Sequence, residues 1–177
     1  MNLAERTLSS EYVYQGRMIN LRVDQVELPD GKSAQREIVE HPGAVAVVAL
    51  TNNQELIMVR QYRKPIDKVI LEIPAGKLNR GEDPEICAQR ELLEETGYQA
   101  GQLSLIARYY TTPGFSDEVM YLYLARKLIE LKQSPDEDEF IEMTRVPLAT
   151  AQQMVLTGEI QDAKTIIGIL ALNKLLT

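Results

Sequence analysis

Glu91, Glu94 and Glu95 stand where a helix tolerates acids least. Asp83 and Pro84 read as a helix start. An aspartate there accepts from backbone N–H groups that lack a helical partner, and a proline in the first turn gives up an N–H that would go unbonded anyway. Gly97 reads as a left-handed stop. The helix between them therefore ends in its carboxylates, at the negative end of the macrodipole. Glu91 is three residues from Glu94 and four from Glu95, so the three share a face. Each like-charge pair at that spacing costs about 0.2–0.5 kcal/mol. A chain that breaks two local rules at one place usually has a compensating partner there. Hard dications such as Mg2+ take oxygen ligands and offset clustered negative charge. The chemistry they bring is stabilisation of phosphate oxygens and acidification of water. The competing reading is a solvated acidic helix face.

The whole segment favours the first reading. Gly76-Lys-Leu-Asn-Arg-Gly-Glu82-Asp-Pro-Glu-Ile-Cys-Ala-Gln-Arg90-Glu91-Leu-Leu-Glu94-Glu95-Thr-Gly97-Tyr98 resembles the Nudix hydrolase box, G-x5-E-x7-R-E-U-x-E-E-x-G-U. The matching positions are Gly76, Glu82, Arg90, Glu91, Leu92, Glu94, Glu95, Gly97 and Tyr98, the last a looser fit because an aliphatic residue is commoner there. Charge and spacing make Glu91 and Glu95, one turn apart, the best metal ligands. Glu94 lies on the flank and would hold a second ion directly or through water. The resemblance implies the same roles and adds the backbone carbonyl just before the box glycine, here that of Ala75. Arg90 can pair with Glu94 at i+4 and reads as a support, as does Glu82. Gly76 and Gly81 bracket a loop that must bend tightly and approach the metals closely.

Outside the box the resemblance narrows to the ADP-ribose pyrophosphatase branch. Pro113, 16 residues past Gly97, is near the spacing that marks it. Arg36-Glu-Ile, Gln61-Tyr-Arg63, Glu72-Ile-Pro-Ala-Gly76, Pro113-Gly-Phe-Ser-Asp-Glu118 and Asp136-Glu-Asp-Glu139 look like the same branch. It implies Mg2+-dependent hydrolysis of ADP-ribose to AMP and ribose 5-phosphate, with Mn2+ as the alternative ion. The proton of the attacking water would pass to the acidic loop, with Glu139 the first candidate and Glu137 the next. Alternatively Glu139 ligates metal while Glu137 takes the proton, or the loop is simply solvated. Arg36 and Arg63 are candidates for phosphate or ribose, since a guanidinium suits forked anion recognition. Glu37, Lys77 and Glu118 follow as substrate contacts by the same resemblance; His41 fits a substrate position or a structural one. Adenine in this branch often stacks on aromatics of an N-terminal hairpin. Here the equivalent stretch reads Gln15-Gly16-Arg17-Met18, where an arginine or methionine could replace the ring. Members are usually homodimers that exchange their N-terminal β-region. Other readings are a different nucleoside-diphosphate sugar or dinucleotide as substrate, and a nucleotide sensor that does not hydrolyse. A Ca2+-stabilised scaffold fits less well, because the spacing is not that of an EF-hand loop.

Composition bounds the partners. The net charge is −7 and there is no Lys/Arg-rich block, which argues against long nucleic acid. No apolar run approaches the roughly 18–20 residues needed to span a bilayer. The start, Met-Asn-Leu-Ala-Glu-Arg-Thr, lacks a basic stretch followed by an apolar one, so a cytoplasmic location is expected. Cys87 is the only cysteine, which rules out an intrachain disulfide, and it reads as a buried small residue beneath the site.

The elements that must position these residues read as mixed α/β. Residues 11–41 suggest antiparallel β around the turn Pro29-Asp-Gly-Lys32. Ala44–Leu50 is continuously apolar, as in a strand covered on both faces. Further strands are expected at 55–61, 69–73, 103–110, 119–125 and 140–146, and helices at 149–157 and 162–176. The expected fold is the Nudix α/β/α sandwich with a mixed sheet (residues 43–177), preceded by a small antiparallel β-region (1–42) for dimerisation and substrate contacts.

Overall fold

A computed structural model describes residues 3–133 and 140–176. The chain divides into two units, one of Met1–Gly43 with Tyr109–Met120, the other of Ala44–Arg108 with Tyr121–Thr177. In the first, β1 (Arg6–Gln15), β2 (Asn20–Glu27) and β3 (Ser33–Glu40) form an antiparallel sheet in that order. Gly31 supplies the positive φ of 82° at the β2–β3 turn, and its N–H reaches the Leu28 carbonyl at 2.9 Å. The first strand begins at Arg6, earlier than expected. All its residues are exposed, so no apolar alternation marks its first half, and pairing with β2 defines that half instead. Arg22 ties the sheet across its strands, with Nε 2.9 Å from Asp24 Oδ1 and Nη1 2.5 Å from Glu40 Oε1. The Thr111–Ser116 stretch joins this unit through backbone bonds: Val39 N–H donates to the Phe115 carbonyl at 2.8 Å, and Asp117 N–H to the Val39 carbonyl at 3.3 Å.

The second unit follows as β4 (Ala44–Leu50), β5 (Glu55–Arg63), a 3-10 turn (Lys64–Ile66), β6 (Lys68–Glu72), β7 (Ala75–Lys77), α1 (Pro84–Thr96), β8 (Tyr98–Tyr110), β9 (Val119–Glu130), β10 (Ile141–Pro147), α2 (Leu148–Thr157) and α3 (Ala163–Leu176). The ends Tyr109–Tyr110 and Val119–Met120 belong to the first unit. The sheet order is β10-β5-β4-β9-β8, with β6 also paired to β5 and β7 to β4. Every residue of β4 is buried. Val45, Val47 and Ala49 pack with Cys87, Ala88 and Leu92 of α1. Val48, one step out of phase, lies with Ile73 and Leu122 against Gly168 of α3. A helix on each face is what an unbroken apolar strand requires, and the result is a mixed sheet between helices.

Two elements depart from the sequence expectation. β7 is only three residues long, too short for any periodicity to announce it. β8 starts directly after Gly97, five residues ahead of Leu103, because Tyr98 and Ala100 insert into the core beside Leu92. Among the described residues no helix is long and apolar enough to cross a membrane.

Candidate active site

The site is built on the C-terminal half of α1 and the strand that faces it. Asp83 caps the helix, its Oδ1 accepting from Glu85 N–H at 2.8 Å and Ile86 N–H at 3.4 Å. Pro84 occupies the first turn, and Gly97 closes the helix at φ 75°, its N–H 2.8 Å from the Leu93 carbonyl. Cys87, Ala88 and Leu92 anchor the buried face, and Glu91 and Glu95 are drawn in beside them at 8% and 2% exposure. Burial pushes the Cys87 thiol up to about 12, so it is no nucleophile near neutral pH.

Each acid has a defined neighbour. Glu95 Oε2 accepts the Ala75 N–H at 3.1 Å, which fixes β7 against the helix. A Cβ placed on Gly76 would fall within the Glu91 carboxylate, so the glycine leaves the space that the carboxylate fills. Arg90 sits among three glutamates. It forks onto Glu82 (Nε–Oε1 3.0 Å, Nη2–Oε2 3.1 Å), and its Nη1 is 2.7 Å from Glu91 Oε1 and 2.9 Å from Glu94 Oε2. The fork, outweighing partial burial, depresses the Glu82 carboxyl to about 2. The bonds it donates to Glu82 first, then the charge of Glu91, hold the Arg90 guanidinium protonated. Part of the charge conflict at the helix end is thus answered within the chain.

The donor set suits a hard dication: oxygen atoms only, two of the carboxylates nearly sealed from water, and a glycine whose missing side chain is the space Glu91 occupies. Among the described residues no three His, Cys, Asp or Glu side chains converge closely enough to hold an ion by themselves.

The remaining candidates are distributed over both units. In the second, Arg63 forks onto the buried Glu72 (Nε–Oε1 2.7 Å, Nη2–Oε2 2.8 Å), and Lys77 is exposed at the end of β7. In the first, Arg36 binds Glu5 (Nε–Oε2 2.9 Å), and Glu37 is exposed on β3 opposite Val23. Glu118 Oε2 accepts the Thr111 hydroxyl at 2.5 Å, while its Oε1 is 3.5 Å from His41 Nδ1. The ring of Tyr14 lies over Gly16, so an aromatic does attend the Gln15–Met18 stretch. Glu137 and Glu139 lie outside the described residues.

The end of β6 has partners that no motif in the sequence points to: Lys164, Asp162 and Thr165 cluster around it. Lys164 Nζ donates to Glu72 Oε2 and, at 3.0 Å, to Asp162 Oδ1. Thr165 Oγ1 accepts the Ile73 N–H at 2.9 Å. A glutamate inside the apolar run Val69–Ile73 was a readable signal, since a buried carboxylate requires a partner. Burial raises the Glu72 carboxyl, but bonds to Arg63 and the charge of Lys164 outweigh it and leave it below its usual range.

The fold and this arrangement define a Nudix hydrolase, and the chain belongs to that family: residues 40–167 match the NUDIX domain. Residues 5–39 match the nucleoside diphosphate sugar hydrolase N-terminal domain. The chain is 51% identical over 166 residues to the ADP-ribose pyrophosphatase of Bacillus subtilis (strain 168), covering 93% of this chain and 90% of that protein. It is 48% identical over 167 residues to the methanol dehydrogenase activator of Bacillus methanolicus, covering 93% and 90%. A crystal structure of an ADP compounds hydrolase superposes with a TM-score of 0.87 at 23% identity, over 99% of this chain and 96% of that one, which speaks to the fold.

Proposed function

We propose that this protein hydrolyses the pyrophosphate bond of ADP-ribose, giving AMP and ribose 5-phosphate, with Mg2+ as its natural ion and Mn2+ as a substitute. The observation that supports the reading is the close approach of β7 to α1, with the Glu91 carboxylate beside Gly76 and Glu95 Oε2 on the Ala75 N–H, so that two acids lie against one stretch of backbone. The likeness to the Bacillus subtilis enzyme supports the substrate. Glu91 and Glu95, with the Ala75 carbonyl, would hold the metal, and Glu94 a second ion. Bound dications offset phosphate charge and acidify water. In the reaction a water oxygen bonds to one phosphorus as the bridging P–O bond breaks, and the water's proton passes to Glu139 or, failing that, Glu137. Glu82 and Arg90 hold the acidic helix end in place. Arg63 and Lys77, with Arg36, Glu37 and Glu118, receive the substrate.

The protein works as a homodimer in the cytoplasm, its N-terminal β-region (residues 1–42) serving dimerisation; the exposure of every β1 residue supports a covering partner. A second reading, hydrolysis of another nucleoside-diphosphate sugar, draws on the match at residues 5–39. A panel of ADP-ribose, ADP-glucose and GDP-mannose, with products identified by phosphorus NMR, separates the two. The expected result is AMP and ribose 5-phosphate, with ADP-ribose fastest. Slower turnover of ADP-ribose than of the other two sugars would transfer the assignment to the second reading.

A further inference from the structure

The helix α3 carries no residue of the Nudix box, yet it grips the strand that leads into the site. Glu72 ends β6, and Ile73 and Pro74 link it to Ala75, the first residue of β7. Lys164 bonds Glu72 and Thr165 bonds Ile73, each across 92 residues of sequence. Thr165 is fully buried and is itself fixed by Asp162, which accepts its N–H at 3.0 Å and its hydroxyl at 2.5 Å. Two positions further on, Ala75 N–H is bonded to Glu95. The same short segment therefore holds Arg63 at one end and the acidic helix at the other.

The polar cluster is costly to bury. Glu72 is 1% exposed, and the side chains of Lys164 and Asp162 are partly buried, at 11% and 16% exposure. Taking such charges out of water costs several kcal/mol each, and apolar residues of equal volume often serve stability as well or better. A purely structural clasp between α3 and β6 would not need four charged groups. Their arrangement is directional. Glu72 spends both oxygens on Arg63, taking Nε and Nη2, so the guanidinium is held by one edge and Nη1 stays outside the fork. The Arg63 side chain is 40% exposed, unlike the acid that holds it. Lys164 sits on the same Glu72 oxygen that receives Arg63 Nη2 and keeps that carboxylate charged and oriented. Arg63 also feels the charge of Glu95.

From this geometry we infer that Lys164 is a positioning residue for substrate binding: acting through Glu72, it fixes the Arg63 guanidinium so that its outer edge meets a phosphate of the bound nucleoside diphosphate. The inference rests on the pyrophosphohydrolase reading above. Lys164 touches no substrate. It removes the freedom that a half-exposed arginine would otherwise lose on binding.

Calorimetric titration of ADP-ribose in EDTA, where no turnover occurs, tests this together with steady-state kinetics in Mg2+. Lys164→Met should weaken binding and raise KM about tenfold while kcat changes less than about threefold, because a contact of equal strength in ground and transition states is lost. Lys164→Arg should restore most of the affinity. In an Arg63→Ala background, Lys164→Met should add almost nothing, since the two act as one unit. A clasp that only supports the fold would lower the melting temperature and leave Kd and KM unchanged at 25 °C, whereas an effect not routed through Arg63 would weaken binding by the same factor in the Arg63→Ala background. Either of the last two results overturns the inference. Should Lys164→Met fold poorly, Lys164→Gln makes the same comparison. If the unmodified protein neither binds nor cleaves ADP-ribose, the functional reading fails and the inference with it. If it does both and Lys164→Met matches it, the inference alone is lost.

Discussion

Glu95 is nearly sealed from water and uses one carboxylate oxygen on the Ala75 N–H. A glutamine can accept the same bond, so Glu95→Gln separates charge from shape. Turnover should fall at least about 100-fold, as expected when a charge that holds a metal is removed. The melting temperature should stay within a few degrees of the parent. An unchanged rate would take Glu95 off the list of metal ligands. Glu91, Glu94, Arg90, Asp83 and Gly97 were legible in the sequence because their partners lie within one helix or its flanking turns, where spacing alone predicts who meets whom. Lys164 and Thr165 were not. Their partners are 92 residues away, and no local rule reaches across that separation.

Among the elements, α3 depends on one missing side chain. A Cβ on Gly168 would lie 2.7 Å from Val48 Cγ2 and 3.2 Å from Ile73 Cδ1. Val48 is fully buried and stiff at χ1, so it cannot turn aside cheaply. Overpacking of this kind costs roughly 1–3 kcal/mol. The better helix propensity of alanine returns only about 1 kcal/mol. Gly168→Ala should therefore be destabilising, seen as a lower urea midpoint at unchanged slope, and an increase in midpoint would contradict the close packing of α3 on β4. The apolar stripe of this helix was plain in the sequence, as was the two-sided burial of β4. The need for a glycine at 168 was not, because it depends on how near the helix comes to the sheet. The first half of β1 and all of β7 escaped for different reasons, one being exposed throughout and the other too short to show a period.

For the molecule as a whole, acid sensitivity follows from the Arg90 cluster. Glu82 has its carboxyl lowered from 4.5 to about 2 in the folded state, chiefly by the Arg90 fork. A depressed carboxylate favours folding above its unfolded value and loses that contribution as pH falls through the folded one. The melting temperature should thus decline between about pH 4.5 and pH 2, and Glu82→Gln should flatten the decline in that window. A variant that melts with the parent's pH dependence would mean that Glu82 is not the group responsible.

The chain's single thiol lies fully buried on the inner face of α1, its Sγ 3.4 Å from the Lys77 carbonyl. Maleimide reagents will therefore pass it by in the native protein. A cysteine introduced at any exposed position could be labelled with a fluorophore or nitroxide without first engineering away the natural one, so spectroscopic rulers can be mounted on an otherwise unaltered background.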